Sequence, residues 1–158
     1  MNIFGFLVVF FCLLAEVSAK CADSCECPEF SSLRYERYDV SYLQFTQLAG
    51  CAANATCVNP NNFMMLSGFS SSEIEHPPET PDNFFIVTSG RNSSILASSF
   101  DLFPYFGIIC EGGSWYATKY PMGIATQSVT GGGLIYTNYD ESYDGKKSRI
   151  SVLACNWS

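Results

Sequence analysis

Residues 107–120 read GIICEGGSWYATKY, and Gly112-Gly113 at the centre divides two short runs of apolar, β-branched and aromatic side chains. Two consecutive glycines supply the positive φ angles of a primed two-residue turn, whose twist matches that of the strands it joins. The stretch is therefore predicted to be a β-hairpin with Cys110 opposite Trp115 and Ile109 opposite Tyr116. Outward from it the same texture continues. FFIVTSG at 84–90 and SSILASSF at 93–100 are short runs rich in β-branched and aromatic residues. LIYTNYDESY and KKSRISVLAC then flank Asp144-Gly145, a second hairpin signal. With that turn, Tyr139 faces Ile150 and Asp140 faces Arg149, and the face carrying Ile135, Thr137, Ile150 and Val152 is the one to bury. The fold class expected over 83–158 is mainly β, a small antiparallel sandwich-like domain built of hairpins.

Upstream the texture changes. SSSEIEHPPETPD, residues 70–82, has three prolines and one apolar residue, Ile74, and reads as a linker. Before it, residues 20–69 hold Cys21, Cys25, Cys27, Cys51 and Cys57, which mark a disulfide-rich N-terminal module; LRYERYDVSYLQFTQLAG between them shows no clean period. The chain opens MNIFGFLVVFFCLLAEVSAKC, with an apolar run from Phe4 to Ala15 followed by Val17-Ser18-Ala19. That run is too short for a membrane span, which needs about 20 apolar residues, and the small residues after it make a cleavage site. Residues 1–19 are expected to be a signal peptide, leaving a soluble, secreted, extracellular product.

The formal net charge of −7, with no basic cluster larger than Lys146-Lys147, argues against nucleic acid as a partner. Three sequons, Asn54-Ala55-Thr56, Asn92-Ser93-Ser94 and Asn156-Trp157-Ser158, agree with a secretory route. Asn54 and Asn92 are expected on exposed loops, carrying glycan.

Of the eight cysteines, Cys12 falls in the leader and seven remain. An oxidising compartment and a small domain make disulfides the economical reading. Leaving one out and pairing six allows roughly 105 arrangements. Cys25 and Cys27, two apart, would have to stretch to bridge one another and are expected to take different partners. Cys110 and Cys155 each end a predicted strand and are expected to bond, closing a loop worth roughly 4 kcal/mol. Cys25, Cys27, Cys51 and Cys57 then supply bonds within the N-terminal group, two among its five cysteines. Cys21, near a frayed terminus, is left unpaired or intermolecular, making a disulfide-linked dimer or a mixed disulfide.

Chemistry-bearing patterns are sparse. Asp140, Ser142, Asp144 and Gly145 match the start of a calcium loop, but its twelfth position is Ser151 where a bidentate Glu is required. Cys-x-Cys with a single histidine is a poor zinc signature, and no metal or cofactor is expected. That histidine, His76, stands before Pro77-Pro78 as a solvated loop residue. Gly131-Gly132-Gly133 lacks the Lys and Ser or Thr of a phosphate loop. Glu111 with Asp140 or Glu141 could pair as in a glycosidase, yet no spacing selects them. The loop Cys51 to Cys57 is the one stretch shaped like an inhibitor loop, and its sequon argues against that role.

The segment GIICEGGSWYATK with the closing VLAC resembles the secreted Cys-rich domains of unknown function abundant in nematodes, over residues 83–158. CADSCECPEF is similar to the leaders that precede such domains, over 21–57. Cys-x-Gly-Gly-x-Trp is also similar to the end of a sushi module, which would close with a Cys soon after its Trp; here the next is Cys155. The resemblance implies no activity. The function expected is a non-enzymatic, disulfide-stabilised binding or structural module for an extracellular protein or glycan. The alternative is a small secreted hydrolase using carboxylates.

Overall fold

The computed structural model describes residues 24–36, 40–58, 63–89, 99–127, 133–137 and 140–155. Among the described residues ten strands form two antiparallel sheets. β1 (Leu43–Gln47), β2 (Ala53–Val58) and β5 (Ser99–Asp101) make a three-stranded sheet in the order β1-β2-β5. β3 (Met64–Ser72), β4 (Phe84–Thr88), β6 (Ile109–Glu111), β7 (Ser114–Ala117), β8 (Ile124–Gln127), β9 (Leu134–Thr137) and β10 (Ser148–Ala154) make a seven-stranded sheet in the order β6-β7-β10-β3-β4-β8-β9. A short helix, α1 (Leu102–Phe106), follows β5. The mainly β, antiparallel class read from the sequence is what the structure has.

Residue alternation explains which faces meet. In β2, Ala53, Ala55 and Cys57 point inward while Asn54 is exposed, and in β3, Met65, Ser67 and Phe69 are buried with Met64, Leu66 and Gly68 half-buried and Ser70 exposed. β4 sits between β3 and β8 and is buried along nearly its whole length, as Phe-Phe-Ile-Val-Thr suits a strand covered on both faces. Both sheets contribute to one core, in which Ala55 and Cys57 of the small sheet join Met65, Val87, Trp115, Ile124 and Leu153 of the large one. At its N-terminal end Phe30 is fully buried against Trp115 at 5.3 Å edge-on and Phe103 at 4.9 Å. The Trp115 indole N–H donates to Pro28 O at 2.8 Å, so its polar end is satisfied as the ring is buried.

The hairpin at Gly112-Gly113 has the predicted register, with Cys110 opposite Trp115 and Ile109 opposite Tyr116, and both glycines at positive φ, 55° and 71°. The second hairpin does not form. β9 pairs with β8, placing Ile135 opposite Thr126 and leaving it 45% exposed, while β10 pairs with β7 and β3. Arg149 therefore faces Tyr116, not Asp140, and Tyr139 lies outside the described residues. Long-range bonds outweigh the local turn. Asp140 caps a 3₁₀ turn at Glu141–Tyr143 by accepting from the Ser142 N–H, and the Gly145 N–H donates to Thr118 O at 2.8 Å. The hydroxyl of fully buried Tyr120 lies 3.0 Å from Lys146 O and 2.7 Å from Ser148 Oγ, tying 146–148 to the end of β7.

The segment 70–82, expected as a linker, begins inside β3: Ser72 pairs with Ser148, and Ile74 is buried. The large sheet thus takes strands from both sides of it. The exposed ring of His76 lies against buried Phe69 at 4.6 Å.

Candidate functional site

Where β3 ends, the β6–β7 hairpin turns and β10 begins, the outer surface of the large sheet forms an open, polar cleft of about 550 Å³. Each wall follows from the pairing. β10 alternates, so Ser148 and Ile150 are buried and Arg149 is exposed, directly opposite Tyr116 on β7. The Gly112-Gly113 turn brings up Glu111. Glu73 leaves the end of β3 and is clamped to the start of β10: its N–H donates to Lys147 O at 2.8 Å, and its Oε2 accepts the Lys147 N–H at 2.8 Å. Ser70, Ser71 and Ser72 complete the rim.

Charge in the cleft is partly spent. The Lys147 ammonium sits 2.7 Å from Glu111 Oε2 and 3.0 Å from Oε1, and this bond to Glu111 raises its pKa. Glu73 is occupied by backbone. The Arg149 guanidinium has no hydrogen-bond or ion-pair partner among the described residues. Among the described residues this leaves for a ligand the Arg149 guanidinium, on the strand position opposite Tyr116, with serines on the rim. Such a surface can hold a polar or anionic group by a charge-assisted bond and stack a flat one.

The carboxylates weighed from sequence are not gathered here. Glu111 lines the cleft in an ion pair, whereas Asp140 is a turn cap, and neither it nor Glu141 lines the cleft. The cleft itself was not read from the sequence. Its one local signal is the alternation that puts Arg149 outward between Ser148 and Ile150.

The cysteines form Cys25–Cys51, Cys27–Cys110 and Cys57–Cys155. The expected Cys110–Cys155 bond is thus corrected, as is the expectation of two bonds within the N-terminal group, since only Cys25–Cys51 is internal to it. Strand order is the reason. β7 lies between β6 and β10, and β10 meets β7 only through Ser148 and Arg149, so Cys155 at its other end is carried away from Cys110 and towards β2. Cys25 and Cys27 do take different partners. Cys21 and Asn92 lie outside the described residues; Asn54 is exposed, but on strand β2 rather than on a loop.

A family model described as TRA-1 regulated protein R03H10.4 matches residues 23–155, most of the chain and all six bonded cysteines. The chain belongs to the TRA-1 regulated protein R03H10.4 family. That agrees with the expected nematode family of unknown function. No curated protein and no solved structure matches this R03H10.4 family member. The family match runs across 70–82, as the seven-stranded sheet does, and takes in both walls of the cleft.

Proposed function

We propose that this protein is a secreted, disulfide-stabilised binding module that recognises an extracellular protein or glycan through the cleft at Tyr116 and Arg149. The observation that carries the reading is the state of the charges: Glu111 and Glu73 are engaged, while Arg149 is exposed opposite Tyr116 and its guanidinium has no hydrogen-bond or ion-pair partner among the described residues. A carboxylate hydrolase needs an acid and a base free to exchange protons. An ion-paired Glu111 and a backbone-bonded Glu73 do not offer that. Three disulfides suit an oxidising compartment, and no helix among the described residues is long and apolar enough to cross a membrane.

In this reading residues 1–19 are removed on secretion, and Asn54 and Asn92 carry glycan. With six cysteines in bonds, Cys21 is the one left in the mature chain for a disulfide-linked dimer or a mixed disulfide. The test is a side-by-side screen of the purified wild type and Arg149→Glu on extracellular-protein and glycan arrays. The expected result is a ligand retained by the wild type and lost from the variant. Turnover of a polysaccharide or peptide substrate that Glu111→Gln abolishes would overturn the reading in favour of a hydrolase.

A further inference from the structure

The two disulfides at the N-terminal end of the fold touch one another. Cys25 is bonded to Cys51 and Cys27 to Cys110, yet Cys25 Sγ lies 3.7 Å from Cys110 Sγ. The sulfurs of Cys25, Cys27 and Cys110 all fall within 4.8 Å of one another. Disulfides exchange when a thiolate attacks one sulfur of a bond and the other leaves. Reacting atoms held near ~3–3.5 Å gain a large effective concentration. The site is also reachable. A depression of about 430 Å³ is lined by Cys25 and Cys27 together with Glu29 and Gln47 to Gly50, and Cys25, Cys51 and Cys110 are half-buried rather than sealed.

We propose that Cys25–Cys51 and Cys27–Cys110 form a single thiol–disulfide exchange unit, in which an external dithiol that opens the first bond also re-pairs the second. In the first step the dithiol is oxidised to its own disulfide, and Cys25–Cys51 takes the two electrons and two protons to become two thiols. Cys25 then loses its proton to solvent and attacks Cys110 Sγ. The Cys25–Cys110 bond forms as Cys27–Cys110 breaks, and Cys27 leaves with the electron pair and is protonated. The net product is one disulfide, Cys25–Cys110, with thiols at Cys27 and Cys51.

Two features of the fold favour this transfer. Cys27 Sγ is 3.2 Å from Ser114 O, so once protonated the released thiol has an acceptor for its S–H without moving. The segment carrying Cys25 and Cys27 is also held on the β6–β7 hairpin by bonds that contain no sulfur: the Trp115 indole to Pro28 O, and Phe30 packed against Trp115. The bond can therefore move two residues along a chain that stays in place. Cys51, freed in the turn between β1 and β2, becomes a thiol available to an external disulfide.

The experiment treats the purified, fully oxidised protein with less than one equivalent of dithiothreitol, quenches with acid, and alkylates the free thiols. Cleavage after Glu26 by a Glu-specific protease separates Cys25 from Cys27, so the peptides distinguish the isomers. The expected result is a Cys25–Cys110 peptide in the singly reduced fraction, with label shifted from Cys25 to Cys27. A singly reduced fraction holding only Cys27–Cys110, with label on Cys25 and Cys51, would overturn the proposal. Cys51→Ser, which frees Cys25 without any reductant, gives a second reading: label divided between Cys25 and Cys27 supports exchange, and label on Cys25 alone refutes it.

Discussion

Replacing both Cys57 and Cys155 with alanine removes the bond that joins β2 to the end of β10 and so links the two sheets. The two cysteines are 98 residues apart, but the relevant unfolded-state loop is shorter because the other two disulfides remain. The shortest path runs from Cys155 back to Cys110, across to Cys27, along to Cys25, across to Cys51 and on to Cys57, roughly 50 residues. In the chain-entropy model a loop of that length stabilises the fold by about 4 kcal/mol. A domain of this size has only about 5–15 kcal/mol in total, so the variant should fold but be marginal. Urea unfolding followed by tryptophan fluorescence is the assay, and the midpoint should fall by roughly 1.3–4 M for a slope of about 1–3 kcal/mol/M. Both side chains are buried, so truncation adds a little to the loss. A loss under about 1 kcal/mol would mean instead that the loop was already closed by some other link.

Three further outcomes follow. Gly107→Ala should cost more than Gly112→Ala, about 2 kcal/mol or more against about 1, in the same urea assay: both glycines have positive φ, 58° and 55°, but a Cβ at 107 meets Thr118 Oγ1 and Lys119, and at 112 it meets nothing within 4 Å. Tyr120→Phe should lose about 1–3 kcal/mol at pH 7, because it strips a buried hydroxyl from Lys146 O and Ser148 Oγ. Burial pushes the Tyr120 pKa from 10.0 up to about 12, so its neutral form is the folded one; stability is full below pH 10 and falls between 10 and 12 as the unfolded chain ionises first. Thermal melts across that window should show a fall in the wild type that is smaller in Tyr120→Phe. Asn54→Gln should remove one glycan's mass from the secreted protein while leaving its melting temperature nearly unchanged, because the side chain is exposed on β2; an identical mass for wild type and variant would contradict this.

The parts of the fold that were legible in the sequence are those whose determinants are local. Gly112-Gly113 carries both the turn and the register, since two positive φ angles leave the flanking strands one way to pair. Asp144-Gly145 offers the same local signal and Gly145 does have positive φ, yet its N–H goes to Thr118 O. Nothing within residues 134–155 reveals that Tyr120 is the partner for Lys146 and Ser148. The serines at 70–72 look like linker because they are polar. Their place in the sheet rests on Ser72 pairing with Ser148, whose hydroxyl is satisfied by Tyr120. Disulfide pairing was illegible for a related reason. Chain entropy ranks loops only weakly by length, and the choice of Cys57 for Cys155 depends on which strand ends the sheet order brings together. The cleft shares that dependence, because Arg149 and Tyr116 become neighbours only once β10 lies beside β7.

The fold, the cleft and the exchange unit all rest on the three-bond framework, and a disulfide peptide map of the fully oxidised secreted protein, digested at acid pH without reductant, tests it most directly. The bonded peptides expected are Cys57–Cys155, Cys27–Cys110 and Cys25–Cys51. A peptide joining Cys110 to Cys155 would contradict that framework, because those residues can meet only if β10 lies beside β6, which would remove the Arg149–Tyr116 pairing on which the proposed site depends.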